Sequence, residues 1–270
     1  MESNSIKFAP LIEQLNRRTQ RALVSQFGFR NPVLNDYLTN ELSQPAGKEG
    51  SLLADPVFEG TFGYKEGFKS LEQMRGDVFN PALIDGMAKT DKKYKDEYQL
   101  KTKEFVPYEH QVHAWNTLMG EEKKSVLVSS GTGSGKTECF LFPILNDLAN
   151  EREQSGEQLE GVRALFLYPL NALIKSQRDR LAAWTGSFGD DVRFCLYNGE
   201  TKHTVPERVA KDEPQEVKSR KALRESPPPI LVTNSTMLEY MLVRKDDQPI
   251  LSKSQGTLRW IVLDEAHTYV

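Results

Sequence analysis

The residues with the clearest chemical purpose lie in one short stretch, Ser125–Thr137, which reads SVLVSSGTGSGKT. Gly131, Gly133 and Gly135 let the backbone adopt conformations that other residues avoid, and they bring backbone N–H groups close to a ligand. A helix predicted to begin at Lys136 directs its free N–H groups and the positive end of its dipole to the same place. This combination is typical of a loop that binds nucleotide phosphates.

Two side chains would complete that site. Lys136 is expected to reach the β- and γ-phosphates, and the Thr137 hydroxyl is expected to bind Mg²⁺. The other positions predicted to contact nucleotide are Ser130, Gly131, Thr132, Gly133, Ser134 and Gly135. Ser130 stands where the strict pattern has glycine, and a small residue fits there. A glycine-rich turn with a chance Lys-Thr pair is the alternative interpretation, which the later motifs disfavour.

A second group of chemical residues follows an apolar run near the end of the sequence, WIVLDEAH. Asp264 is predicted at the tip of a buried strand, where its carboxylate would hold Mg²⁺ directly or through water. Glu265 is placed to orient or deprotonate an attacking water. His267 is expected to sense the γ-phosphate side. An acidic pair after a strand is common, but together with the phosphate loop it supplies the other half of one Mg-nucleotide site.

The order of the motifs resembles that of superfamily 2 helicases of the DEAD/DEAH type, in their first RecA-like domain. The matching segments are PYEHQ for adenine reading, SSGTGSGKT for motif I, YPLNALIKSQ for motif Ia, LYNGE for the short glycine motif, LVTNSTMLEYML for motif Ib and LDEAHTY for motif II. The resemblance implies that Gln111 contacts the base and that Tyr108 stacks or packs beside it. The sequence looks most similar to MrfA-like DNA helicases with a C-terminal DUF1998 region, a group tied to DNA repair and anti-phage defence.

This resemblance implies the ATP-binding half of an ATP-dependent DNA helicase or translocase, with ATP and Mg²⁺ as cofactors. Two alternatives stay open. One is an ATP-gated nucleic-acid-binding module of a multi-subunit assembly serving repair or defence, and the other is an RNA helicase. A small-molecule kinase would leave PYEHQ, YPLNAL and TNSTMLEY unexplained.

A nucleic-acid surface is also implied, opposite the nucleotide. Uncharged donors at strand ends or helix starts can bind phosphates without a basic field. The residues predicted for this role are Asn171, Gln177, Thr233 and Asn234. Helix capping is the competing explanation, since Asn171 and Ser235 are good N-cap residues. Nearby lysines and arginines, such as Lys175 and Arg178, are interpreted as a solvated surface.

Short apolar runs alternate with amphipathic stretches after Phe105, which predicts an α/β fold with a mainly parallel sheet covered on both faces. The predicted strands are Ser125–Ser129, Arg163–Tyr168, Val192–Tyr197, Ile230–Thr233 and Trp260–Leu263. The predicted helices are Lys136–Ala149, Asn171–Trp184 and Ser235–Val243, with one more over VPYEHQVHAWNTLMG. With the resemblance, this is a RecA-like P-loop NTPase domain over residues 104–270.

Residues 1–103 are predicted to form a mostly helical N-terminal extension, with helices over Ile6–Phe27, Val33–Leu42 and Leu71–Ala88. The charged stretch Lys89–Lys103 is interpreted as a solvated linker or exposed helix that marks a soft boundary. Four aromatic residues precede it and are expected to dock the extension onto the core, with a base-stacking platform as the alternative. They are Phe58, Phe62, Tyr64 and Phe68.

Composition excludes several classes of protein. The net charge of -3 provides no global basic field, so nucleic-acid binding must use local patches. The two cysteines, Cys139 and Cys195, lack paired spacing and are expected to be buried and reduced. The N-terminus has no signal-peptide core, and no apolar run is long enough to cross a membrane. We expect a cytoplasmic protein without a membrane partner.

The sequence ends shortly after His267, whereas the resemblance implies a coupling strand and a second RecA-like domain, in cis or in trans. Arginines from such a domain contribute about 10³–10⁵ in rate in related nucleotidases. We therefore expect residues 1–270 alone to bind Mg-ATP, to hydrolyse it poorly and to unwind nothing. Steady-state ATP turnover with and without DNA checks this, and robust DNA-stimulated turnover would contradict it.

Overall fold

The computed structural model describes residues 8–57, 63–131 and 133–269. Phe58, Phe62 and Thr132, for which the sequence carries predictions, lie outside these ranges. The chain forms two compact units, Met1–Gly63 and Tyr64–Val270.

The first unit contains two helices, α1 (Phe8–Phe27) and α2 (Pro32–Glu41). Asn31 begins α2 as its N-cap, because its side chain accepts a hydrogen bond from the Val33 N–H at 2.9 Å. Pro32 follows at the first helical position, where a missing N–H costs nothing. The helices predicted over Ile6–Phe27 and Val33–Leu42 are confirmed within the described residues.

The second unit contains a four-stranded sheet of β1 (Ala164–Leu167), β2 (Phe194–Leu196), β3 (Ile230–Thr233) and β4 (Trp260–Leu263). All described pairings are parallel, in the order β2-β3-β1-β4. Parallel strands direct their carboxyl ends to one edge, so the segments that follow them lie side by side.

Successive side chains of each strand enter two different cores. Phe166 and its register partner Val232 belong to one apolar cluster, while Leu165 and its partner Leu231 belong to the other. Because both faces are covered, the strands are continuous apolar runs instead of alternating ones. The predicted α/β class and the last four predicted strands are confirmed.

Helices surround this sheet. Their bounds are α3 Leu71–Met74, α4 Pro81–Ala88, α5 Lys95–Tyr98, α6 Glu109–Met119, α7 Lys136–Ser155, α8 Asn171–Thr185, α9 Glu207–Asp212, α10 Arg220–Glu225, α11 Ser235–Val243 and α12 Gln248–Lys253. Single 3₁₀ turns cover Gly186–Phe188, Lys245–Asp247 and Ala266–Tyr269. Helix α7 is mostly buried between Cys139 and Ala149, with Phe142 and Leu145 in the core.

The strand predicted over Ser125–Ser129 is wrong, because this segment has no regular structure and Leu127 is 83% exposed. An apolar run becomes a strand only when its backbone groups find a neighbouring strand. Within the described residues, β4 has no partner on the side away from β1, and Ile261 is 63% exposed there. The described sheet therefore ends at β4, and the outer edge of β4 and the apolar run at 125–129 both stay unpaired.

The charged stretch Lys89–Lys103 is not a solvated linker throughout. Tyr94 is buried, and Trp184 of α8 donates a hydrogen bond to the Tyr98 carbonyl at 2.9 Å. Residues 64–103 thus belong to the unit that contains the sheet. The division into domains at residues 103 and 104 stays a prediction.

An ionic cluster joins this stretch to the long segment between β2 and β3. The Glu213 carboxylate accepts hydrogen bonds from Tyr94 and Lys93, and it pairs with Arg178 of α8 and with Lys218. Burial raises the pKa of the Glu213 carboxyl, but these hydrogen bonds and charges outweigh burial and hold that pKa at about 2. The Glu213 carboxyl is therefore ionised in the folded protein near neutral pH.

Replacing Glu213 with glutamine should lower the free energy of unfolding by about 2–3 kcal/mol at pH 7. The folded pKa of about 2 lies below the ordinary value of 4.5. The carboxylate's contribution is therefore complete above pH 4.5 and is lost as the pH falls towards 2. Urea titrations at pH 7, 4 and 3 should show the difference in free energy of unfolding between wild type and Glu213→Gln narrowing below pH 4.5.

Glu207→Gln is the matched control, because the Glu207 side chain is 79% exposed and should leave stability unchanged at each pH. If the difference in free energy of unfolding between wild type and Glu213→Gln is the same at all three pH values, Glu213 is not held ionised by its neighbours.

Candidate nucleotide and nucleic-acid sites

The phosphate loop turns into α7 through two glycines in the left-handed region. Gly133 has φ of 76° and Gly135 has φ of 73°, and Gly135 is the N-cap of α7. No cap side chain occupies the first turn of α7. The free N–H groups of that turn and the positive end of the helix dipole therefore remain available to an anion.

Helix α6 fixes this loop from the side. Three of its side chains contact carbonyl oxygens of the loop and of the first turn of α7. The pairs are His110 Nε2 with the Ser134 carbonyl (2.9 Å), Gln111 Nε2 with the Gly135 carbonyl (3.0 Å) and Trp115 Nε1 with the Glu138 carbonyl (2.9 Å). These bonds hold the loop in place although Ser125–Ser129 before it is not part of the sheet.

Gln111 is held by two hydrogen bonds within the protein, and its contact with the base stays a prediction. Its side chain is only 2% exposed, and besides binding the loop it accepts a hydrogen bond from the Tyr108 N–H at 2.8 Å. Both ends of the amide are thus engaged within the protein. The Tyr108 ring stacks on His110 at 5.6 Å between centroids, and Tyr64 lies at 5.4 Å from Tyr108. Tyr64 therefore docks onto the core beside the loop, whereas Phe68 is 93% exposed.

Lys136 lies across the mouth of the loop. Its Nζ donates hydrogen bonds to the carbonyls of Ser130 (2.9 Å) and Gly131 (3.1 Å). Ser130 in turn shares a hydrogen bond of 2.6 Å with the Ser134 hydroxyl, so the residue that replaces glycine closes the loop. Lys136 has no carboxylate partner within hydrogen-bonding reach among the described residues, and its charge is available to a phosphate.

The acidic residues lie at the tip of β4. The Asp264 N–H continues the ladder to the Leu167 carbonyl at 3.1 Å. Burial raises the pKa of the Asp264 carboxyl, as does the neighbouring Glu265 charge, while the Glu265 N–H and the Lys136 charge act against the rise. The Lys136 charge thus acts on the Asp264 carboxyl, and the two parts of the predicted nucleotide site lie in the same unit of the chain.

Glu265 and His267 are exposed beside Asp264. Glu265 has φ of 50°, which is unusual for a residue with a side chain, and its carboxylate lies 3.4 Å from His267 Nδ1. Strained backbone of this kind is often found at functional turns.

Thr137 and Asp264 are suited to Mg²⁺ by their chemistry. The half-buried Thr137 hydroxyl makes no hydrogen bond with another described residue, and Asp264 supplies a carboxylate. Within the described residues no cluster of three or more histidine, cysteine or acidic side chains could hold a metal ion alone. A hydroxyl, one carboxylate and substrate phosphates form the oxygen set that Mg²⁺ uses in phosphoryl-transfer enzymes.

Two of the predicted nucleic-acid residues meet at neighbouring strand ends. Asn234 Nδ2 donates to Asn171 Oδ1 at 2.9 Å, and Asn234 Oδ1 caps α11 by accepting from the Met237 N–H. Asn234 is thus the N-cap that the sequence assigned to Ser235. Asn171 is the first residue of α8, whose N-cap is Leu170.

The other two predicted residues are less accessible. Thr233 is fully buried and its hydroxyl donates to the Tyr197 carbonyl at 2.6 Å, so its side chain is engaged within the protein and its nucleic-acid role stays a prediction. Gln177 is half-buried on α8, and its side-chain oxygen accepts from Arg180 at 3.5 Å.

The sequence analysis missed His110 and Trp115 as contacts of the loop. Trp115 lies four residues after Gln111, one helical turn away, and that spacing was the available signal.

The family profile described as DEAD/DEAH box helicase matches residues 108–270. This chain belongs to that family. Among curated relatives of the helicase, Druantia protein DruE of Escherichia coli (strain UMEA 4076-1) is 27% identical over 60% of this chain and 14% of its own length. The uncharacterized ATP-dependent helicase YprA of Bacillus subtilis (strain 168) is 28% identical over 60% of this chain and 18% of its own length.

A solved structure shares the fold of this helicase chain. The crystal structure of the DUF1998 helicase MrfA bound to DNA and AMPPNP matches 76% of this chain and 23% of its own, with a TM-score of 0.50 and 22% identity. The predicted family and the α/β fold are confirmed. The chain spans less than a quarter of each of these relatives.

Two glycines that cap the same helix allow a matched test of the loop. At Gly135 an added Cβ would collide with the Gln111 amide and lie 3.1 Å from Glu138 Oε2, whereas at Gly156, with φ of 69°, it would meet nothing within 4 Å. Gly156→Ala should cost about 1–2 kcal/mol of left-handed strain and leave nucleotide affinity unchanged.

Gly135→Ala should show that strain together with displacement of Gln111, and should weaken binding of a fluorescent ATP analogue by about tenfold or more. Urea denaturation and nucleotide titration of both variants check this. Equal nucleotide affinities would show that the contact between Gln111 and the loop does not shape the site.

Proposed function

We propose that this chain is the ATP-binding half of an ATP-dependent DNA helicase or translocase that couples Mg-ATP binding and hydrolysis to movement on nucleic acid. The observation that carries the proposal is the placement of Lys136 over the carbonyls of the phosphate loop and of Asp264 at the end of β4, beside β1. These residues are distant in sequence, and together they offer a cation for phosphates and a carboxylate for a metal. Membership of a family of helicases supports the same conclusion.

Each residue has a stated role in this proposal. The N–H groups at the start of α7 and the Lys136 ammonium bind the β- and γ-phosphates. Mg²⁺, held by Thr137 and Asp264, would neutralise charge on those phosphates. Glu265 is exposed at the tip of β4, where it orients a water and accepts its proton. His267, whose Nδ1 lies 3.4 Å from the Glu265 carboxylate, is proposed to sense the γ-phosphate beside that carboxylate.

Nucleic acid is proposed to cross the carboxyl ends of β1, β3 and β2, beside the nucleotide. Asn171 and Asn234 are joined there, and Gly199 follows β2 at the far edge. The Gly199 N–H has no acceptor among the described residues, so it can donate to a phosphate. Binding by neutral donors explains how a chain with a net charge of -3 would hold a polyanion.

DNA is favoured over RNA because MrfA, which shares the fold, was solved with DNA and AMPPNP. An RNA helicase remains the second candidate, since an ATP-dependent RNA helicase DBP9 of Coccidioides immitis (strain RS) is 28% identical over 43% of this chain. Affinities for DNA and RNA of one sequence, measured at the same salt concentration, separate the two. Tighter binding to RNA would overturn the choice of DNA.

The second RecA-like domain is proposed to act in cis or in trans. If Mg-ATP changes DNA affinity without turnover in any form of the protein, the chain is instead an ATP-gated binding module.

No helix among the described residues is long and apolar enough to cross a membrane. The cytoplasm is the proposed compartment.

Two substitutions test the nucleotide site in the full-length protein. Lys136→Ala should weaken ATP binding, because it removes the cation at the loop. Glu265→Gln should keep ATP affinity but lower turnover by at least about 100-fold, because glutamine cannot accept the proton. ATP affinity and steady-state turnover, with and without single-stranded DNA, are the measurements.

Glu239→Gln on α11 is the control for charge removal, since Glu239 is exposed and outside the site. Wild-type turnover in Glu265→Gln would remove Glu265 from the proposed mechanism.

A further inference from the structure

The turn that follows β2 is unusually well fixed for a surface turn. Within it the Asn198 side chain accepts from the Glu200 N–H at 2.9 Å. The Thr201 hydroxyl accepts from the Asn198 N–H and donates to the Leu196 carbonyl, both at 2.9 Å. Yet Gly199 and Glu200 at its tip are exposed, and a Cβ on Gly199 would meet nothing within 4 Å.

Arg220 of α10 holds both ends of this turn from behind. Its Nε donates to the Thr201 carbonyl at 2.9 Å, and its Nη2 donates to the Asn198 carbonyl at 3.4 Å. Its guanidinium also lies over the Tyr197 ring, 5.5 Å from the centroid. A planar guanidinium can make these contacts together, whereas a lysine ammonium cannot.

A second arginine of α10 supports the first. Arg224, one helical turn after Arg220, donates to the carboxylate of Asp247 at 2.8 Å, and the Tyr197 hydroxyl donates to the same carboxylate at 2.8 Å. Asp247 is fully buried. A buried carboxylate is tolerated because these partners satisfy it, and breaking such a set is costly. Tyr197 is thereby held between the two arginines.

These contacts converge on a turn whose tip is exposed, and a Cβ added to Gly199 there would meet no described residue within 4 Å. The Gly199 N–H is unpaired there, and Lys175 lies 2.7 Å from the Glu200 carboxylate and offsets the negative charge beside it. The turn also stands in line with Asn234, because β2 and β3 are neighbours about 5 Å apart. The interior therefore fixes a backbone donor that faces outward.

We propose that Arg220, supported by Arg224, is a positioning residue that presents the Gly199 N–H to a phosphate of the bound nucleic acid. This inference rests on the proposed function, since it names how one part of that surface is held. Arg220 acts on the phosphate through the turn, because its Nε and Nη2 donate to the carbonyls of Thr201 and Asn198.

The test compares Arg220→Ala and Arg220→Lys with wild type in the full-length protein. Lys221→Ala is the control, because Lys221 is the next residue of α10 and its side chain is 60% exposed. Three quantities are measured: hydrogen exchange of residues 198–202 without nucleic acid, affinity for single-stranded DNA at several salt concentrations, and affinity for ATP.

In Arg220→Ala we expect faster exchange at 198–202, DNA affinity reduced about tenfold, and unchanged ATP affinity. Arg220→Lys should fall between this variant and wild type, and Lys221→Ala should keep the exchange pattern of wild type. The dependence of DNA affinity on salt should keep its slope in Arg220→Ala, since loss of a direct phosphate contact would lower that slope by about one.

Three outcomes overturn the inference. Faster exchange with unchanged DNA affinity would show that the turn does not bind. A reduced salt slope would show that Arg220 contacts phosphate directly. Unchanged exchange in both Arg220 variants would show that Arg220 does not hold the turn. If wild type itself binds neither DNA nor RNA, the proposed function fails first, and the wild-type titration identifies that case.

Discussion

The structure depends on the rule that backbone polar groups taken from water must find partners. The backbone groups of the four parallel strands find partners in the hydrogen-bond ladders of the sheet. For the phosphate loop, side chains of α6 supply the partners, because they bond to the carbonyls of Ser134, Gly135 and Glu138. The apolar run at 125–129 shows what happens when a segment has no such partners. It is apolar enough for a strand, but it has no ladder partner in the described chain and does not become one.

Ion pairs attach the part of the chain that buries few apolar side chains. The long segment between β2 and β3 contains only short helices, and two ionic clusters attach it to the rest of the unit. Glu213 is paired with Arg178 of α8, and Asp247 is paired with Arg224 of α10. Buried pairs add little net stability when compared with apolar packing, but losing one partner is costly. They therefore favour one arrangement of the segment, including the turn after β2.

The residues proposed to bind nucleotide and nucleic acid follow the strands at one edge of the sheet. In the order β2-β3-β1-β4 the strand ends carry Gly199, Asn234, Asn171 and Asp264. The acidic end interacts with Lys136, whereas the opposite end offers neutral donors. The proposed nucleotide and nucleic-acid surfaces therefore lie on one edge of the sheet, with β1 between Asp264 and Asn234.

The sequence by itself determined the class of fold, four strands, the start of α7 and the phosphate loop, because these depend on local apolar runs and on glycines next to a helix. Tertiary structure decided the rest. Whether 125–129 pairs depends on a neighbouring strand, the burial of Thr233 depends on Tyr197, and the use of Gln111 depends on α6 lying against the loop. Such outcomes follow from which distant backbone and side-chain groups come within hydrogen-bonding distance, and no local pattern encodes that.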